Sequence, residues 1–258
     1  MKILKYFFEA LFIYFFFFII FLVGLNFGRK IFSRLFNLIG PYYRSNQIIK
    51  SNLLKIDKSI NENQISKFRY NMWSNYGKNF VEYLFLKKFK NKNDHIVLND
   101  NGLIKKITSS NKPVIFVSGH FANFELMSME LVKRNIKLAT IYRPLNNIFI
   151  NPIMEKIRRT NVCQNQIKKG LRGIRDVYKY LNNGFSIALM IDQRISEGEQ
   201  VKLFNEDALT TTLPAQLALR FDCDIFPLYI RRDENDLFFL EFENPLIIKD
   251  LKAENLNK

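Results

Sequence analysis

Hydrophobic and polar positions change rhythm several times along this chain, and each rhythm predicts an element. From Ala10 to Gly28 the sequence reads ALFIYFFFFIIFLVGLNFG, 19 residues without a charge. A helix of that length covers roughly 28 Å, about the hydrocarbon thickness of a bilayer. A soluble helix this rich in Phe and Ile would need core on every side. A cleaved signal peptide would have a shorter apolar region, and no small-x-small site follows before Arg29. The expectation is a retained N-terminal membrane helix, with residues 1–28 as the anchor; a re-entrant or deeply interfacial helix is the alternative. The next stretch, RKIFSRLFNLIGPYYR, sets Ile31, Phe32, Leu35, Phe36 and Leu38 between Arg and Lys. This is an amphipathic helix, lying either on a membrane surface or against the protein body.

From Ile48 to Phe89 the spacing is again helical, with Phe68, Met72, Trp73, Tyr76, Phe80, Tyr83 and Leu84 recurring every three or four positions. Then β-branched and aromatic runs begin to alternate with helical ones. PVIFVSG (113–119), KLATIYR (137–143), FSIALMI (185–191), DIFPLYIRR (224–232) and LFFLEFE (237–243) predict strands. Residues 122–135, 147–159, 170–183 and 211–221 predict helices, the last with Thr212 as N-cap and Pro214 in its first turn. Such alternation implies an α/β fold. The expected class is a single domain, residues 29–258, with a mixed, partly parallel sheet flanked by helices and preceded by the membrane helix.

Charge narrows the partners. Lys plus Arg is 39 against 24 acidic residues, a formal balance of +15. That surplus calls for solvation or for an anion: nucleic acid, an anionic membrane surface, or an acidic protein or substrate. The two cysteines, Cys163 and Cys223, have no C-x-x-C spacing, which disfavours a disulfide scaffold or a Cys-rich zinc site. The chain has no G-x-S-x-G, no H-E-x-x-H, no P-loop and no G-x-G-x-x-G following a strand. Nothing calls for a cofactor or a metal.

Of the two histidines, His95 sits in KNDHIVLND and reads as a solvated loop residue. His120 is different. In VIFVSGHFANFE it follows a predicted strand, and open α/β sheets gather ligands at the C-terminal ends of strands. Glu125 is five positions on. In one uninterrupted helix, i and i+5 are about 140° apart and do not share a face. The pair converges only if His120 lies in the turn before the helix and Glu125 in its first turns. A carboxylate on one imidazole nitrogen then leaves the other to accept a proton, making a general base for a hydroxyl. A histidine held structurally at a strand end is the competing reading, and Ser118 is a bystander rather than a nucleophile.

SGHFANFE (118–125) has the H-x4-D/E motif in the form found in the bacterial lipid A late acyltransferases, the lauroyl and myristoyl transferases. Further blocks resemble that family in its order: NMWSNYGKNFVEYL (71–84), YRPLNN (142–147), ALMIDQR (188–194) and TTLPAQLALRFDCDIFPLYI (211–230). The resemblance implies an enzyme that moves an acyl chain from acyl carrier protein to a hydroxyl of a lipid A precursor at the bacterial inner membrane, with its catalytic domain in the cytoplasm. It implies His120 as base, oriented by Glu125, with substrate bound by Arg143, Arg158, Asp192 and Gln193; a one-residue slip would replace Arg158 by Arg159. Arg143 is placed to face a phosphate. The acceptor carries phosphates and the donor protein is acidic, so both match the basic surplus, and nucleic acid is not implied. A glycerophospholipid or glycolipid acceptor, or a membrane-tethered basic protein without catalysis, are the alternatives.

The chain departs from the family at two places. Arg194 stands where the family often has a second acidic or amide residue. The family also usually runs a few dozen residues further, past the point where this sequence stops at DLKAENLNK, so the acyltransferase domain is expected either to be truncated or to be a reduced form.

Overall fold

The structure is a computed structural model that describes residues 2–195 and 198–248. The expected C-terminal departure at DLKAENLNK falls outside the described residues. The fold is mixed α/β, with a mostly parallel seven-stranded sheet flanked by helices and an apolar helix at the N-terminus, as the alternating pattern predicts. The chain groups into two compact units, Met1–Leu86 with Gln200–Ala208, and Lys87–Glu199 with Leu209–Lys258.

The first unit is built of helices α1 (Lys2–Val23), α2 (Leu25–Tyr43), α3 (Asn46–Ile56) and α4 (Glu62–Glu82). The 19-residue uncharged run does not form one helix. Gly24 adopts φ 77°, a left-handed value costly for any residue with a Cβ, and the chain restarts as α2. Helix α1 is 22 residues long and mostly exposed, and among the described residues it is the one helix long and apolar enough to cross a membrane. Its inner side meets α2 and α4 through Phe16, Phe17, Phe32 and Phe80.

One face of helix α2 packs against the protein body, as one of the two sequence readings of this amphipathic stretch expects. Its buried side, Phe32, Ser33 and Gly40 among others, lies on α4. The stripe of α4 that faces inward is Ile65, Trp73, Gly77 and Val81, whereas Phe68 and Tyr76 are exposed. Two glycines set how closely α2 and α4 approach. A Cβ on Gly77 would stand 2.2 Å from the Phe32 carbonyl oxygen, and one on Gly40 would stand 2.2 Å from the Trp73 ring. Backbone cannot step aside as a side chain can. Gly77→Ala is therefore expected to destabilise the full chain by about 1–3 kcal/mol. The fluorescence of Trp73, the sole tryptophan, would register this as an earlier unfolding transition in detergent. A buried ion pair also joins the same helices: Arg29 Nε lies 2.7 Å from Glu82 Oε1, with both side chains almost fully enclosed.

The second unit holds the sheet. Its elements are α5 (Leu86–Asn91), β1 (Ile96–Asn99), α6 (Leu103–Ser110), β2 (Ile115–Ser118), α7 (Glu125–Lys133), β3 (Leu138–Tyr142), α8 (Asn151–Asn161), β4 (Asn165–Lys168), α9 (Leu171–Asn182), β5 (Ser186–Met190), α10 (Leu213–Phe221), β8 (Ile225–Arg232) and β9 (Phe238–Phe242). A polar hairpin, β6 (Glu199–Leu203) and β7 (Glu206–Thr210), interrupts it. The strand order is β1-β9-β8-β2-β5-β3-β4, parallel throughout except for the β8–β9 pair. Strand β2 is central, and Ile115, Phe116 and Val117 are buried on both of its faces, which explains its continuous apolar run. Thr212 does precede α10 and Pro214 does lie in its first turn, but the Thr212 side chain makes no capping hydrogen bond.

His95 corrects the sequence reading. Its side chain is 8% exposed, with its ring tilted against Phe89 at 4.8 Å between centres and lying 3.7 Å from the fully buried Glu130 carboxylate, which also bonds Lys133 and Arg134. Polar neighbours in the sequence conceal a position that the fold encloses. Cys163 and Cys223 are both buried free thiols, and burial pushes each up to about 11, so both stay protonated at neutral pH.

Candidate active site

The parallel register determines which residues meet at the strand ends. Ser118 of β2 lies opposite Met190 of β5, and the ladder continues with Ile191 donating its N–H to the Ser118 carbonyl. Two residues beyond each of these positions stand His120 and Asp192. Their contact follows from that register: Nδ1 of His120 is 2.8 Å from Asp192 Oδ1, and the His120 backbone N–H donates to Asp192 Oδ2 at 2.9 Å. One carboxylate thus holds both the ring and the main chain of the histidine. Gly119 makes the approach possible, because a Cβ there would come 2.9 Å from the Phe121 ring and 3.3 Å from Asp192 Cβ.

Between His120 and the next helix the chain turns sharply. Ala122 takes φ 38°, a left-handed value unfavourable for a residue with a Cβ. That turn keeps His120 outside helix α7, which begins at Glu125, as the i+5 argument requires. The partner, however, is not the expected one. Glu125 does not bond the imidazole. It is the first residue of α7, where the helix dipole favours an anion, and its Oε1 accepts from Arg158 Nε at 2.7 Å. Both side chains of that pair are largely buried. Of the two adjacent arginines, Arg158 is the one that turns inward; Arg159 is exposed and donates to the Gln164 carbonyl.

His120 stands 35% exposed, with Phe124 edge-on against its ring at 4.7 Å. In the neutral tautomer protonated on Nδ1, the ring donates to the carboxylate and Nε2 carries the free lone pair. The ring lies on the wall of a cavity of about 500 Å³ that Glu125, Arg158, Arg143 and Gln193 also line. Asp192 supports this wall from behind His120. Ser118 donates its hydroxyl to Met127 Sδ at 3.2 Å, so it is not poised against His120. Tyr142 also lines the cavity and escaped the sequence reading, although it begins the quoted YRPLNN block. Burial, then the nearby Glu155 carboxylate, pushes its hydroxyl well above the usual phenol range. Burial opposes ionisation of Glu155, but the Tyr142 hydroxyl, the Asn151 amide and the Lys168 ammonium around it prevail and bring its carboxyl to about 2. Glu155 is therefore an anion at neutral pH, with the Lys168 ammonium at 3.0 Å. Among the described residues, no group of three or more His, Cys, Asp and Glu side chains is arranged to hold a metal ion.

A family model for bacterial lipid A biosynthesis acyltransferases matches residues 1–252, nearly the whole sequence. The chain belongs to that family. A search of curated proteins finds no match. As a member of the lipid A acyltransferase family, the chain takes acyl transfer as its reaction class and a lipid A-type molecule as its acceptor class. The apolar α1 accords with association of such an enzyme with a membrane.

Proposed function

We propose that this protein transfers a fatty acyl chain from acyl carrier protein to a hydroxyl of a lipid A precursor, with His120 as general base. The observation that carries the proposal is the His120–Asp192 contact at the cavity wall. His120 Nε2 takes the proton of the acceptor hydroxyl as its oxygen attacks the thioester carbonyl. The tetrahedral intermediate collapses, the C–S bond breaks, and the proton passes from the imidazolium to the departing thiolate. Asp192 keeps the Nδ1 proton in place and stabilises the imidazolium. Residues 1–28 act as the anchor and 29–258 as the acyltransferase domain, facing the cytoplasm at the inner membrane. Lys2 and Lys5 stand in the first turns of α1, before the uncharged run, and Arg29, Lys30 and Arg34 follow that run, the slightly heavier flank being on the domain side.

Glu125 acts at one remove from the chemistry. It holds Arg158 against the cavity, and the Arg158 guanidinium also lies 5.8 Å from the Tyr142 ring centre. Removing one member of a buried ion pair leaves the other charge without its partner. Glu125→Gln is expected to cut turnover strongly, and Glu125→Gln combined with Arg158→Gln should cost much less than the two single losses added together. Additive losses in that cycle would mean that the pair does not act as a unit.

The reading is tested with purified protein in detergent, acyl-acyl carrier protein and a tetra-acylated lipid A precursor. Mass spectrometry should show the acceptor gaining one acyl chain. Lipid A from cells with and without the protein should differ by the same mass. Transfer to glycerophosphate or mannoside lipids, with none to the precursor, would overturn the acceptor assignment.

A further inference from the structure

The two ends of the sheet expose different chemistry. Strands β2, β3 and β4 run parallel, so all three enter at one end and leave at the other. At the entry end the exposed side chains are Asn111 and Lys112 before β2, Asn135 and Lys137 before β3, and Gln164 before β4. No large apolar side chain is exposed in those three segments. At the exit end Phe121 follows β2, Leu145, Ile148 and Phe149 follow β3, and Leu171 follows β4. All five are exposed, Leu171 by 85% and Ile148 by 57%. The Lys169 N–H donates to the Tyr142 carbonyl at 2.9 Å, which sets Arg143 beside Lys169 and the exits of β3 and β4 side by side. The connections from β3 to β4 and from β4 to β5 run in opposite directions across the sheet, so right-handed crossovers carry α8 and α9 to opposite faces. The apolar residues therefore flank the end of the sheet on both sides. The loop after β3 is built inside out. Asn147 is buried, and its Oδ1 accepts from the Phe149 and Ile150 N–H groups. Asn151 Oδ1 accepts from the Leu145 N–H at 2.8 Å, and its Nδ2 donates to Glu155. These bonds turn the amides in and leave Leu145, Ile148 and Phe149 outside, the reverse of what water favours.

We propose that this apolar rim beds into the lipid bilayer, so that the His120 cavity opens within the membrane interface and the lipid acceptor enters it without crossing water. The proposal deepens the acyl-transfer reading and rests on it for the use of the cavity; the acceptor's lipid A-type class comes with the family. Three strand spacings of ~4.8 Å put the exits of β2 and β4 roughly 15 Å apart, wide enough for the rim to straddle the mouth of the cavity. Leu145 argues for lipid over a protein partner. It belongs to the rim and also lines the cavity. A second copy of the chain, or another protein, seated on the rim would stand in the acceptor's path, whereas a bilayer is that path. Charge agrees with this choice. On α9, Arg172 and Arg175 stand exposed beside Leu171 and Ile174. Cationic and apolar side chains mixed on one surface seat a helix among anionic headgroups, with the apolar members sunk ~5–10 Å into the interface.

The test places single cysteines by Ile148→Cys and Leu171→Cys on the rim, and by Lys137→Cys at the entry end. Each variant is the full chain, reconstituted into vesicles of phosphatidylethanolamine and phosphatidylglycerol. Cys163 and Cys223 are buried, so a thiol-reactive fluorophore goes to the introduced position. Labels at 148 and 171 should be quenched several-fold more than the label at 137 by nitroxide carried on the lipid acyl chains, and less by aqueous acrylamide. Equal access of acrylamide to all three labels overturns the proposal. Shielding from acrylamide without quenching by lipid nitroxide also overturns it, because that is the result for a protein partner or a second copy. Kinetics give a separate reading, since neither Ile148 nor Leu171 lines the cavity. Ile148→Asp combined with Leu171→Asp should slow transfer to acceptor held in those vesicles roughly tenfold, with less than about twofold change for acceptor dispersed in detergent. Equal losses in both overturn the proposal. If wild type transfers no acyl chain to any acceptor, the acyl-transfer reading fails instead, and the quenching still decides whether the rim meets lipid.

Discussion

His120→Ala should abolish acyl transfer, with turnover falling by roughly 10²–10⁴-fold while the fold is retained. The side chain is about one-third exposed, so its loss opens no deep cavity in the core. The cost should fall on kcat rather than on substrate affinity, because the imidazole acts on a proton that moves in the transition state. Unchanged circular dichroism beside lost turnover is the expected pair of readings. Turnover within a few-fold of wild type would remove His120 from the mechanism.

Asp192→Asn should come close to that loss, and the reason is tautomeric. The carboxylate accepts from the His120 backbone N–H with one oxygen and from Nδ1 with the other. An amide has only one oxygen. If that oxygen keeps the backbone bond, the NH₂ group faces Nδ1 and imposes the ring form protonated on Nε2. Such a ring cannot accept the hydroxyl proton. A fall in kcat of roughly 10²–10⁴-fold is expected, by analogy with amide replacement in other carboxylate–histidine pairs. Asp192→Glu tests position separately from charge, since it restores the anion with a longer reach. If Asp192→Asn turns over like wild type, the histidine does not depend on this partner.

The sequence made the apolar strands legible because a parallel sheet buries both of their faces, and β2, β3 and β5 lie where VIFVS, LATIY and SIALM predict them. It hid β4, whose NQIK contributes a single buried side chain, Ile167, at the sheet edge. It also hid the hairpin of β6 and β7, which has no buried residue and so no apolar rhythm. With β4 unseen, Lys169 had no reason to be placed beside Arg143. His120 was legible from its position after a strand, and local helical geometry correctly put it before α7. Its partner was not legible. Choosing Asp192 over Glu125 requires knowing that β2 and β5 are neighbours and in which register, a fact held in contacts some 70 residues apart. Arg158 and Arg159 were indistinguishable in sequence for a related reason, since only the facing helix decides which of two consecutive side chains turns inward.

The Arg29–Glu82 pair has a consequence for how this protein can change over generations. Each side chain is enclosed, and removing either one would leave the other charge buried without this partner, costing about 3–5 kcal/mol. A stability margin of typical size would be largely consumed by one such step. A well-packed apolar pair would serve the two helices as well, yet the route to it passes through two poorly folded intermediates. Mutational drift can therefore reshape the exposed surface freely while this contact stays locked in place. Lineages that escape it should have replaced both residues, never one.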